Sequence, residues 1–312
     1  MNVKVSYQYK EQQHEINKYR ADTMIAERAI HSHSTSMLNE LEIDGYCDFG
    51  FPIGHGASWE FANNNNKLDT NNPATLPRVS SSKLDLRSSK LDEVTRTFAK
   101  VLVGNDIDTA KLLKACRAHL ELMKIGGAAL CLVARDLENN LRKAEAVFAR
   151  CPGRCKTLAS LLELEREAGI HDGNVLRESS AAMGLLWIRR SLAFQSRLYE
   201  LSLVPSGDRD DGLGPPRRRL HPKDAAYDSY EEHLSPYHGW MLRRVFPASL
   251  AHMPHRDVFL SKFGEVEMED LDDEVRSKIV RKLRALIGTL EPLIGRWKES
   301  FVEFDLEDIR RV

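Results

Sequence analysis

The chain has 312 residues, with 45 lysines and arginines against 46 aspartates and glutamates, so its formal net charge of −1 excludes binding driven by overall charge, to nucleic acid or to an anionic surface. Five cysteines at irregular spacing exclude a secreted disulfide framework and point to a reducing, cytoplasmic setting. No apolar run reaches the roughly 18 residues of a membrane span, and the opening Met1-Asn2-Val3-Lys4 lacks a signal peptide's apolar core, so a soluble protein is expected.

Residues 1–90 are polar, with the Asn63 to Asn66 run and the Ser80-Ser81-Ser82 cluster, and read as a largely disordered extension. Within it, residues 19–41 carry weak helical patterning, and His31 and His33 lack the further ligands a metal site needs. From residue 91 to 312 the pattern becomes long amphipathic stretches with almost no strand-like alternation, which predicts an all-α domain. Asp106 or Asp108 can cap a helix running to about Lys124, with Leu112, Leu113, Cys116, Leu120 and Met123 as its apolar stripe and Gly126-Gly127 as its stop. A second helix is expected over 128–150, ended by Cys151-Pro152-Gly153, then a short one through Leu158 to Leu164 and a loop at 169–173. A long helix is expected over 176–203, a surface loop over 205–222, and helices from Ala225 that continue past Pro247, a residue that should kink or interrupt its helix. Residues 270–304 form the last long helical stretch.

Three clusters carry candidate chemistry. Asp136, Asn140 and Lys143 stand at i, i+4 and i+7, which sets an acceptor, an amide and a cationic donor on one helix face, a set suited to sugar hydroxyls. Trp187, in Leu185-Leu186-Trp187-Ile188-Arg189-Arg190, offers a flat face for a pyranose, and His238, in Tyr237-His238-Gly239-Trp240, a ring nitrogen for a carbonyl. Taken singly, each has a plainer reading: a solvated helix face for the trio, a core indole for Trp187, a helix junction for His238. Glu163, Glu165 and Glu167 read as surface charge, and Cys151 with Cys155 lacks a second pair for zinc. No nucleophile elbow, phosphate-cradling glycine loop or metallohydrolase motif is present, so neither an enzyme nor a cofactor is expected.

The order of these clusters, with Ala115-Cys116-Arg117, the 158–167 stretch, Ala226-Tyr227, Pro254 and Phe259-Leu260, resembles the glycolipid transfer protein family from about Asp106 onward. That resemblance implies an all-α, two-layer helical sandwich with a lipid cleft, exchanging glycosphingolipids between membranes without covalent chemistry. It implies that Asp136, Asn140, Lys143 and Trp187 hold the sugar, that His238 bonds the ceramide amide carbonyl, and that Asp136 accepts the amide N–H. It places Trp240 and Tyr230 on a membrane-docking surface, where amphipathic rings suit the headgroup layer. Ala251 and His255 stand where relatives often carry aromatics.

The ceramide-1-phosphate branch has a cation in place of Trp187 and lacks the asparagine, so Trp187 with Asn140 favours a sugar head, with Arg189 and Arg190 flanking the pocket. A cleft lined by Leu120, Leu132, Phe148, Leu186 and Phe246 should partly collapse when empty. Three readings stand: a glycosphingolipid carrier or sensor, peripheral at membranes; a carrier of ceramide-1-phosphate-type lipids; and a helical interaction module with a vestigial pocket. The 1–90 extension offers a place for a protein partner.

Overall fold

The computed structural model describes residues 89–125, 130–203, 221–250 and 253–311. The His31 and His33 pair, the patch at 19–41, the Gly126-Gly127 break, Ala251 and most of the 205–222 loop lie outside the described residues, as does the Leu132 side chain.

The first described helix, α1 (Lys90–Phe98), buries Leu91, Val94 and Phe98, spaced so that one stripe faces inward. Ser89 caps it, and Lys282 reaches both Ser89 and Asp92, tying this end to the last helix. A two-residue antiparallel hairpin follows, β1 (Leu102–Val103) with β2 (Asp106–Ile107), turning at Gly104 with φ +62°. Sequence patterning gave no sign of it, because four residues are too few to alternate visibly.

Helix α2 (Thr109–Ile125) buries the whole expected stripe, and of the two candidate caps Asp108 acts: its Oδ1 accepts from the Lys111 N–H at 3.0 Å. Next come α3 (Cys131–Arg150) and α4 (Leu158–Glu167), the latter started by a reciprocal Thr157–Ser160 capping box. Helix α5 (Ala181–Ser202) begins five residues later than expected. Leu176 gives its N–H to Asp308 Oδ2 at 3.0 Å instead of entering the helix, and Ser180 caps the true start.

Helix α6 (Pro222–His233) takes Pro222 at its first position, where the missing N–H costs nothing, so the preceding loop ends sooner than read. Helix α7 (Leu242–Leu250) runs through Pro247 without interruption. Proline removes only one bond there, that to the Arg243 carbonyl, and a nine-residue helix tolerates it. The chain closes with α8 (Arg256–Gly264) and α9 (Asp273–Glu303), a 31-residue helix capped by Asp272.

Packing follows a ring. Helix α1 lies on α2, α2 on α3, α3 on α5, α5 on α9, and α9 back on α1, around one apolar core, with α6 against the free side of α5. Nearly every α5 residue is buried, since it has neighbours on several sides. No described helix is long and apolar enough to cross a membrane.

Candidate functional site

The site grows from the crossing of α3 and α5. A Cβ on Gly184 would sit 2.5 Å from the Asn140 carbonyl oxygen and 3.2 Å from the Lys143 Cβ, so only glycine lets these helices meet here. The contact lands on the candidate trio. Trp187 lies one turn further along the same face of α5, so the indole starts one turn from the crossing.

The start of α5 is held by a residue the sequence reading misplaced. Glu165 is fully buried, and its two oxygens accept from the Ala181 and Ala182 N–H groups at 2.8 and 2.9 Å. It also meets His171 Nε2 at 3.2 Å. A carboxylate at a helix N-terminus satisfies orphan donors and opposes the helix dipole, which fixes where α5 begins and hence where Gly184 and Trp187 stand. Alternating glutamates look like surface charge. The available signal was Glu165's place beside Leu161, Leu162 and Leu164 on the buried face of α4.

Within the trio, Asn140 is buried and its amide donates to the Asp136 backbone carbonyl at 3.0 Å, which leaves its own oxygen available. Asp136 is open to solvent, yet the protein massed around it raises its pKa to about 6, with Lys143 and then Asn140 pulling the other way. The Lys143 ammonium is paired with Glu178 at 2.5 Å.

On the other side, Trp187 is stacked against His238, with centroids 5.4 Å apart and planes at 28°. Burial, and then the Arg190 charge, lower the His238 pKa to about 4, so the ring is neutral at physiological pH. Arg190 lies over the Trp187 ring at 5.2 Å and the Tyr237 ring at 3.5 Å and donates to the Asp308 carbonyl. Arg189 donates to both Glu307 oxygens at 2.5 and 2.6 Å and lies over Phe301. The pair expected to flank the pocket is therefore bound to the 307–308 segment, one arginine behind the indole and one turned away.

Two aromatic assignments separate. Trp240 is 72% exposed, beside exposed Met241, Leu242 and Val245. Tyr230, expected on the docking surface, has no exposure: its ring stacks on Phe246 at 4.9 Å and its hydroxyl meets His238 Nδ1 at 3.2 Å. A ring with no exposed surface cannot rest in a lipid headgroup layer, so that expectation is corrected.

Of the residues expected to line a cleft, Leu120, Leu186 and Phe246 are buried in the common core, and Phe148 packs against it. A recess of about 160 Å³ between α6 and α7, lined by Tyr227, Pro247 and Leu250 among others, is well under the roughly 300–1,000 Å³ of a drug-sized pocket. The Cys151 and Cys155 sulfurs lie 3.3 Å apart, and among the described residues no three His, Cys, Asp or Glu converge as metal ligands.

Residues 107–265 match the family described as "Glycolipid transfer protein (GLTP)". Glycolipid transfer protein from Danio rerio is 36% identical over 188 residues, covering 59% of this chain and 85% of that one. A FAPP2 structure, described as selecting simple glycosphingolipids using the GLTP-fold, matches with TM-score 0.58 and 22% identity over 72% of this chain and all of that one. Human ceramide-1-phosphate transfer protein bound to 12:0 ceramide-1-phosphate matches with TM-score 0.58 and 17% identity, over 71% and 100% of the two chains. At these identities the structures establish the fold, the all-α two-layer sandwich read from the sequence.

Proposed function

The chain belongs to the glycolipid transfer protein family, and from that premise we propose that it binds glycosphingolipids and carries them between membranes, or reports their presence. Residues 91–312 form the carrier domain and 1–90 an extension to it. Asp136, Asn140 and Lys143 take the sugar hydroxyls, Trp187 supplies a face for the ring, and His238 meets the ceramide amide carbonyl while Asp136 accepts the amide N–H. One observation carries this reading: the Gly184 contact presses the trio's helix onto the helix that bears an indole stacked against a neutral imidazole.

Sugar is favoured over phosphate by charge. The trio's ammonium is matched by Glu178, Asp136 adds a second carboxylate, and Arg189 and Arg190 are engaged with Glu307 and the Asp308 carbonyl. A phosphate arriving there finds both of these guanidiniums already engaged. The acyl chains enter by parting the apolar core near Leu120, Leu186 and Phe246, at a gain of about 0.8 kcal/mol per buried methylene.

Docking falls to Trp240, Met241, Leu242 and Val245, with exposed Arg243 and Arg244 beside them and the Arg244 guanidinium 6.0 Å from the Trp240 ring. Apolar side chains enter the headgroup layer and the arginines meet its phosphates. The protein then acts at the membrane periphery.

Transfer of a fluorescent glucosyl- or galactosylceramide between vesicles tests the reading, with unlabelled ceramide-1-phosphate as competitor. Native protein moves the sugar lipid, Trp187→Ala and Asp136→Val slow it at least tenfold, and the phosphate lipid competes poorly. Equal transfer by both variants removes the assigned site, and preferential uptake of ceramide-1-phosphate removes the sugar assignment.

A further inference from the structure

His238 and Tyr230 form a closed unit whose chemistry can be read atom by atom. The imidazole has Trp187 stacked on it, Phe246 edge-on at 5.5 Å and 62°, and the Tyr230 hydroxyl 3.2 Å from Nδ1. Tyr230 is itself immobilised, stacked on Phe246 with planes at 16°. Neither residue has the exposure that would let water replace the partner.

Burial, with the nearby Arg190 charge second, keeps His238 neutral, and a neutral imidazole has one N–H and one lone pair. Whichever nitrogen meets Tyr230 therefore decides what the other one offers. A phenol O–H is the stronger acid of the two donors, and an imidazole lone pair is a stronger base than a phenol oxygen. The favoured arrangement is O–H donating to Nδ1, with the proton of the ring on Nε2. Burial raises the Tyr230 pKa above its ordinary 10, so the phenol keeps its proton and donates it, and the Ser235 side chain offsets only part of that rise.

We propose that Tyr230 is a positioning residue: its hydroxyl donates to His238 Nδ1 and fixes the imidazole as the Nε2–H tautomer, the form able to donate to the amide carbonyl of a bound lipid. The contact stands on the structure and the donor's identity on the acidities of phenol and imidazole; its use in lipid binding rests on the function proposed above. Tyr230 thus matters from inside the fold, through the state of His238.

The test measures the tautomer directly. Full-length protein with ¹⁵N-labelled histidine, its His238 resonances assigned by loss in His238→Asn, is examined by long-range ¹H–¹⁵N correlation at pH 7. Native protein should show the proton on Nε2, and Tyr230→Phe, which keeps the ring on Phe246, should show a mixture of tautomers. A proton on native Nδ1, or an unchanged Nε2–H in Tyr230→Phe, overturns the assignment. In vesicle transfer Tyr230→Phe should be slowed about three- to tenfold, the scale of one misdirected neutral hydrogen bond. An unchanged rate in a variant whose tautomer has scrambled overturns the positioning role. If native protein moves no glycosylceramide while His238 holds its proton on Nε2, the lipid function fails and the tautomer assignment survives.

Discussion

In the proposed role Asp136 accepts sugar hydroxyls as a carboxylate, and its ionisation is held close to the working pH. Its pKa of about 6 lies above the ordinary 3.8, so between those values the folded chain holds a proton that the unfolded chain releases. Stability contributed by this group is therefore lost as pH rises through that window. Asp136→Asn should raise the melting temperature relative to native protein at pH 7.5 and hardly at pH 4, as thermal unfolding at the two values will show. In transfer the sign reverses: glucosylceramide movement should fall as pH drops from 7 to 5, and His238, titrating near 4, does not account for the fall. A rate flat across that range would detach Asp136 from the headgroup. The trio was legible because i, i+4, i+7 spacing is a property of one helix. Glu178 was not, since its partner Lys143 lies 35 residues away and nothing in local spacing announces such a pair.

Among the elements, α5 is set by two contacts that fix where Trp187 stands and how closely α3 approaches it. At Gly184→Ala the new methyl would meet a backbone oxygen at 2.5 Å, which cannot swing aside as a side chain can. The helices must separate, at about 1–3 kcal/mol by analogy with overpacked cores, and Asn140 and Lys143 move with α3. Urea denaturation should register that loss, and glycolipid transfer should fall further than stability alone explains. At the helix start, Glu165→Gln retains the shape but surrenders a charged acceptor of two backbone N–H groups. A destabilisation of about 1.5–3 kcal/mol is expected from denaturant midpoints. Amphipathic stripes gave helices α2, α3 and α9 almost to their ends, because burial of one face governs both sequence and structure. They failed at the start of α5, where capping by Ser180 and Glu165 overrides an apolar pattern that begins at Leu176, and at Tyr230, whose ring can face inward or outward with the same sequence.

On the scale of the molecule, an apolar interior shared by α2, α5 and α7 lies beneath an exposed apolar rim at Trp240, Met241, Leu242 and Val245. If that rim enters the headgroup layer, Trp240→Ala with Val245→Ser should weaken sedimentation with phosphatidylcholine vesicles several-fold without lowering the melting temperature, because neither side chain supports the core. Vesicle binding equal to native would move the docking surface elsewhere. The family was accessible from motif order, and the helical class from amphipathic patterning. The fate of the two arginines could not be read at all, for their partners at Glu307 and Asp308 lie 118 residues downstream.

That separation bears on how the protein comes into being. The guanidinium backing the indole is anchored by the Asp308 carbonyl, and Arg311 ties the same segment to the Pro236 carbonyl two residues before His238. During synthesis α5 and the Pro236 turn emerge before residues 307–311, so a nascent chain lacks the contact that backs the indole. The support behind the indole is thus completed only once residues 307–311 have docked, however early the helices themselves form.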